Sequence, residues 1–136
     1  MMIVVLDTNV VVSGILKPHS KAAIILRLVT DGAVQLAYDI RILSEYRDVL
    51  RRPKFSFSKE TIEAFLDQVE KEGVLVLAKP LKRHLPDPDD EPFLEVALSG
   101  GVKAIVTGNK RHFPRRECYK MKVLSPVDVL EGVKDG

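Results

Sequence analysis

The sequence predicts an α/β protein of three layers, α/β/α, in which a central, mostly parallel sheet of five strands is covered by helices on both faces. Three observations carry that prediction. Short β-branched or aliphatic runs alternate with longer amphipathic stretches along the chain. The amphipathic stretches end at glycine or proline, where helices stop. No internal repeat, low-complexity tract or linker breaks the alternation. Strand–helix–strand order of this kind gives parallel pairing through right-handed crossovers. With 136 residues, 46% of them hydrophobic, the chain is long enough to bury one core, so residues 1–136 are expected to form a single domain.

Each element follows from its local pattern. Residues 3–6, IVVL, are an unbroken apolar run and read as a buried first strand. Residues 34–37, 74–77, 104–106 and 122–124 have the same character and supply the other four. Helical periodicity marks residues 10–16, then 21–31 stopping at Gly32, then 40–52 stopping before Pro53. Further helices are predicted over 58–72, ending at Gly73, and over 93–99, ending at Gly100. A last one runs over 126–131, with Ser125 as N-cap, Pro126 in the first helical position and Gly132 beyond its end. The stretch LAKPLKRHLPDPDDEP is the one long segment without periodicity, and long loops in small domains often carry function.

Composition excludes some classes of function. Lys and Arg total 21 against 19 Asp and Glu, a net charge of +2, which permits nucleic-acid binding without requiring it. No apolar run reaches the roughly 18 residues of a membrane span, so no membrane partner is expected. The lone cysteine, Cys118, has no partner in the chain for a disulfide, and no secretory leader pattern opens the sequence. A reducing, cytoplasmic location is therefore expected.

The acids that interrupt apolar patterns are the candidate chemistry. Asp7 ends the first strand, and in open parallel sheets ligands sit in the crevice beyond the carboxyl ends of the strands. The competing role is helix capping, which the run Asp7, Thr8, Asn9 also suits. In the third helix Ile42, Leu43, Tyr46, Val49 and Leu50 form one stripe. At about 100° per residue Glu45 lies on its flank, within reach of the crevice, and Asp48 faces water. Glu45 can equally pair with Arg41 or Arg52 on the surface. Asp87, Asp89, Asp90 and Glu91 gather before the fifth helix, whose inward face is Phe93, Leu94, Ala97 and Leu98. Extending that wheel backwards puts Asp90 inward, Glu91 at the edge and Asp89 outside, although Pro92 disfavours helical geometry at Glu91. The fourth strand repeats the opening arrangement, ending in the polar tip Thr107, Gly108 and Asn109. Hard oxygen ligands from several elements suit Mg²⁺ or Mn²⁺. Neither a helical histidine pair nor a Cys-x-x-Cys offers zinc a site, so His19, His84 and His112 read as surface or phosphate-contacting residues.

The phrases LDTNVVVSG, ILSEYRDVLRRPKF, DPDDEPFLEVALSGG and IVTGNKRHF, in that order over nearly the whole chain, resemble the PIN-domain family, especially toxin components of bacterial and archaeal toxin–antitoxin pairs. The resemblance implies a metal-dependent ribonuclease with acids around one or two Mg²⁺ or Mn²⁺ ions. Its first acid matches Asp7, its second Glu45, and its third Asp90, with Glu91 as the neighbouring alternative. The fourth position, usually an acid after the Thr-Gly pair, is Asn109 here, expected to offer an amide oxygen in its place. Thr8, Asn9 and Thr107 match polar residues around the cluster. RNA as substrate, an antitoxin protein as partner and a homodimer are further implications.

Such a site would need cations for its anionic substrate, and RRPK (51–54), KRH (82–84) and KRHFPRR (110–116) are the candidates, with Phe113 or Tyr119 available to stack on a base. Two other classes compete. A phosphotransfer enzyme would use Asp7 as a covalent nucleophile, but no second aspartate stands two positions on. A catalytically weak or inactive PIN-fold domain that binds RNA or a partner would be compatible with Asn109.

Overall fold

The first strand, β1 (Met2–Leu6), lies in the middle of a five-stranded, all-parallel sheet. On one side it pairs with β2 (Val34–Tyr38), which pairs in turn with β3 (Val74–Leu75). On the other side it pairs with β4 (Ala104–Val106), which pairs with β5 (Val123–Leu124). The order is therefore β3-β2-β1-β4-β5, and the sequence of connections reverses direction between β1 and β4, where an open parallel sheet leaves its crevice. The computed structural model describes residues 2–114, 118 and 121–135, and for 133–135 the backbone only.

Among the described residues six α-helices cover both faces: α1 (Thr8–Leu16), α2 (Lys21–Thr30), α3 (Ile40–Leu50), α4 (Lys59–Glu72), α5 (Glu91–Gly100) and α6 (Pro126–Asp135). The first packs on α2 and α2 on α6, while α3 packs on α4 and α5. Starts are set by caps, as the sequence suggests. Ser20, Asp39 and Ser58 accept N–H bonds from Ala23, Ile42 and Thr61 at 3.0–3.1 Å. Ser125 and Asp128 bond each other's backbone reciprocally at α6.

The core explains why the strands read as solid apolar runs. Val4, Val5 and Leu6 are fully buried, as are Ile105 and Val106, because a parallel sheet is covered on both faces. Tyr46 fills the space between α3 and its neighbours, its ring edge-on to Phe65 at 5.5 Å and tilted on Phe93 at 6.4 Å. Its hydroxyl is satisfied by donating to the carbonyl of Leu6, which ties α3 to the end of β1.

Differences from expectation sit at element ends. The third strand was expected over 74–77, yet only Val74 and Leu75 form it. Val76 still donates to Tyr38 at 2.8 Å, but Leu77 is 91% exposed beyond the sheet edge. The first helix starts at Thr8 rather than residue 10, and α5 starts at Glu91 after a 3-10 turn over Pro88–Asp90. Pro92 does not displace Glu91, whose backbone is helical at φ −60° and ψ −40°; a proline in the first helical turn lacks only an N–H that would be unpaired anyway.

Gly73 shows how tightly α4 meets the sheet. A β-carbon there would lie 2.3 Å from the Val69 carbonyl oxygen and 2.8 Å from that of Leu36, and backbone cannot yield as a side chain can. Gly73→Ala is expected to destabilise the fold by about 2–3 kcal/mol, measured as a lower urea midpoint at unchanged m-value. A wild-type midpoint would show that α4 shifts freely against β2.

Candidate active site

Asp7 leaves the end of β1 at the point where the sheet order reverses. Its backbone N–H donates to Val106 at 2.9 Å, so the ends of β1 and β4 lie side by side and Thr107 stands next to it. Thr107, fully buried, donates its hydroxyl to Asp7 Oδ2 at 2.7 Å. Asp7 occupies the N-cap position of α1 but its side chain accepts no capping hydrogen bond. The amides of Thr8 and Asn9 lie near enough to favour its charge without closing on it. The carboxylate is thus held by Thr107 and faces the crevice, instead of being used on its own helix.

Thr8, one residue on, is buried and donates a hydrogen bond to Glu45 Oε2. That bond draws the middle of α3 toward the tip of β1, and Tyr46 fastens the same turn from inside the core. Asn9 accepts the Gly108 N–H at 3.2 Å on its Oδ1, joining the start of α1 to the tip of β4. The three residues Thr8, Asn9 and Thr107 all hold the shape of the site through the strand tips.

Asp90 closes the group from the turn before α5. It is buried, and its Oδ2 has no hydrogen-bond partner among the described residues. Asp7 stands close enough to Glu45 and Asp90 to raise the proton affinity of both, and Glu45 raises that of Asp90. Burial is the first cause for each, lifting Asp7 and Glu45 above the ordinary carboxylate range and pushing Asp90 up to about 6. Neighbouring Asp7 adds to the rise at both Glu45 and Asp90, while Thr107 opposes it at Asp7 and Thr8 at Glu45. The acids converge on one region without closing on a point; among the described residues no three acid, histidine or cysteine side chains form a finished metal shell.

The other candidates are used differently. Glu91 turns away to accept the Leu85 N–H at 2.9 Å and to meet His84 Nδ1 at 3.1 Å, which anchors the preceding loop. Asp89 is exposed, with its N–H on Asp87 Oδ1 at 2.9 Å. Asn109, expected to lend an amide oxygen to a metal, caps the 3-10 turn Lys110–His112: its Oδ1 accepts from Arg111 N at 3.1 Å and its Nδ2 lies 3.2 Å from His112 Nε2. Asparagine suits that turn because its side chain can mimic a backbone acceptor.

His112 stands closer to the acids than its place in the sequence suggests. Read there as a surface or phosphate-contacting residue, it carries a buried Nδ1 with no hydrogen-bond partner among the described residues, 3.8 Å from both Asp7 Oδ2 and Asp90 Oδ2. Only the turn capped by Asn109 carries it back over the acids, and residue spacing gives no sign of that. Of the basic clusters, Arg51 pairs with Glu63 and Lys110 with Asp128, whereas Arg52 lies near enough to Glu45 to favour its charge. Phe113 is buried, so it packs in the core and is not free to stack on a base. Arg115, Arg116 and Tyr119 lie outside the described residues.

Residues 3–111 match the PIN domain family, and the chain belongs to it. Members of that family are generally nucleases, and those nucleases generally use divalent metals. The fold is similar to a chain in the crystal structure of VapBC2 from Rickettsia felis bound to a DNA fragment from their promoter. That likeness has a TM-score of 0.60 at 18% identity and covers 91% of this chain and 98% of that one. At such identity it speaks for the fold. No curated protein matches the chain.

The donors present fit a divalent cation. Asp90 Oδ2 is buried with no hydrogen-bond partner among the described residues and with His112 Nδ1 3.8 Å away, and a buried carboxylate oxygen in that state is stabilised by a cation that meets it. Asp7 and Glu45 offer the same hard oxygen chemistry from two other elements, as Mg²⁺ and Mn²⁺ prefer. No helix of the described residues is long and apolar enough to cross a membrane.

Proposed function

We propose that the chain is a divalent-cation-dependent endoribonuclease, acting as the toxin of a toxin–antitoxin pair. The observation that carries this reading is the convergence of Asp7, Glu45 and Asp90 at the reversal point of the sheet, with Asp90 Oδ2 buried and without a hydrogen-bond partner among the described residues. Asp7, Glu45 and Asp90 would hold Mg²⁺ or Mn²⁺. When bound, such an ion supplies Lewis acidity toward the scissile phosphate and lowers the pKa of an attacking water. The chain's own contribution is positional: Thr107 fixes Asp7, Thr8 fixes Glu45, and the turn before α5 delivers Asp90. Arg52, near enough to Glu45 to favour its charge, would meet the backbone of the strand, and exposed Lys82 and Arg83 would add positive charge in the loop that Glu91 anchors.

RNA as the substrate rests on the resemblance of the four ordered motifs, as do the antitoxin partner and the homodimer; the likeness to a chain of VapBC2 supports the antitoxin. A cytoplasmic location agrees with the single cysteine. With Asn109 where relatives have an acid, the cluster has one negative charge fewer for the cation. Mn²⁺ binds a given oxygen or nitrogen site more tightly than Mg²⁺ and tolerates imperfect geometry, so it is expected to be the better activator.

The same residue favours the second reading, a PIN-fold domain that binds RNA or a partner without cutting. Cleavage of a single-stranded RNA, after stripping with EDTA and titration with each ion, separates the two. The nuclease reading predicts silence after EDTA, recovery in Mn²⁺ and a weaker recovery in Mg²⁺. Binding without cleavage in either ion would establish the second reading.

A further inference from the structure

A cavity of about 240 Å³ opens beside the acid crevice, on the side where α1 meets the tip of β4. Cavity and crevice share a wall. Thr107 donates its hydroxyl to Asp7 Oδ2 at 2.7 Å and accepts the Asn109 N–H at 3.1 Å, and Gly108 and Asn109 line the cavity. Val10, Ala22 and Pro126 supply its apolar surface, while Asn9 and Ser13 bring polar side chains. Both belong to α1 at a spacing of i and i+4, so they stand on one face of the helix, a turn apart. Asn9 Oδ1 accepts the Gly108 N–H at 3.2 Å. That bond settles which end of the amide is oxygen and leaves Nδ2, a donor only, without a partner among the described residues. The Ser13 hydroxyl, which can donate or accept, has no hydrogen-bond partner among them either.

We propose that this cavity takes one base of the RNA strand whose phosphate lies at the acids, and that it selects a keto base, uracil or guanine. The assignment rests on RNA as the ligand of the crevice. At about 240 Å³ the cavity is smaller than the roughly 300–1,000 Å³ of pockets for drug-sized molecules, so it suits a single planar ring system and leaves ribose and phosphate outside. Uracil O4 and guanine O6 are acceptors beside a ring N–H, whereas adenine and cytosine carry an amino group there, beside a bare ring nitrogen. Asn9 Nδ2 donates to the carbonyl and has nothing to offer an amino group, and Ser13 Oγ accepts the ring N–H. An amino base would leave the Asn9 donor unpaired against an apolar wall, which is where a hydrogen-bonding site discriminates most strongly.

Neutral nucleosides test the cavity apart from the cation and from cleavage. In the metal-free protein, millimolar uridine and guanosine should shift the Asn9 side-chain amide signal in a saturable way, and adenosine and cytidine should bind about tenfold more weakly. Ser13→Ala should lower that preference. Ser13→Leu, which fills the cavity, should abolish the shift with all four nucleosides, and thermal melts should show both variants folded. In Mn²⁺, wild-type cuts in a random-sequence RNA should carry uracil or guanine at one fixed position beside the cut, and Ser13→Leu should lose the preference. Equal binding of the four nucleosides, or a uridine shift that survives Ser13→Leu, would overturn the proposal and leave the nuclease reading standing. Uridine bound at Asn9 by a wild type that cuts RNA in neither ion would overturn the nuclease reading and support the base site.

Discussion

Asp7→Asn is expected to abolish RNA cleavage, by about 1000-fold or more, equivalent to about 4 kcal/mol of transition-state stabilisation, while leaving the fold intact. The position explains both halves of the result. Asp7 is the acid on the sheet's central strand, flanked by Glu45 and Asp90, and is the one whose environment comes from both sides of the crevice. An asparagine can still accept the Thr107 hydroxyl bond, so local packing survives, but the negative charge toward a cation is gone. Stability should rise by roughly 1 kcal/mol, as happens when a costly active-site group is relieved. The sign follows from burial, which raises the Asp7 pKa in the folded state. Relative to an ordinary carboxylate, its contribution is favourable at acid pH and is lost as pH rises through the folded value. The melting temperatures of variant and wild type should therefore separate at neutral pH and converge toward acid. Full residual cleavage in Asp7→Asn would remove the basis of the nuclease mechanism.

The second large effect separates three neighbouring acids. Asp90→Ala is expected to cost about 100-fold or more in cleavage, because it removes a buried oxygen without a hydrogen-bond partner among the described residues, which is proposed to meet the cation. Asp89→Ala should be close to neutral, since Asp89 is exposed. Glu91→Ala should lower stability by about 1 kcal/mol, the worth of its bonds to the Leu85 amide and His84, with a smaller loss of activity than Asp90→Ala. Asp90 also sets a pH dependence. With its carboxyl pushed up to about 6 in the metal-free protein, Mn²⁺ binding should weaken as pH falls through 6 and the group takes up a proton. Cleavage rates of the three variants, with melting curves, check the order. A larger loss in Asp89→Ala than in Asp90→Ala would mean that the turn before α5 presents a different acid.

Much of this was legible in the sequence because parallel sheets announce themselves. Residues 3–6 and 104–106 are apolar without alternation since both faces are covered, and their abrupt polar ends, Asp7 and Thr107, mark the crevice. Helical phase alone put Glu45 beside it and Asp90 inward. Less legible was anything decided by a turn. Pro92 argued against a helical Glu91 by a local steric rule that the first turn of α5 accommodates. The shortness of β3 reflects an edge with one neighbour, which composition does not encode. Asn109 and His112 lie beyond the fourth strand, in a 3-10 turn whose direction is set by hydrogen bonds, including Asn109 Oδ1 to Arg111 N. A histidine six residues past the end of a strand reads as a surface or phosphate-contacting residue until that turn folds it back over the acids.

Calorimetric titration of Mn²⁺ into the metal-free protein at pH 7.5 tests most directly whether Asp7, Glu45 and Asp90 together hold one catalytic cation. The wild type should bind with a clear heat, while Asp7→Asn, Glu45→Gln and Asp90→Asn should each weaken binding about tenfold or more, as expected when a charged ligand becomes neutral. Equal affinity in the wild type and all three variants would contradict such a shared site, because the ion would then be held elsewhere on the chain.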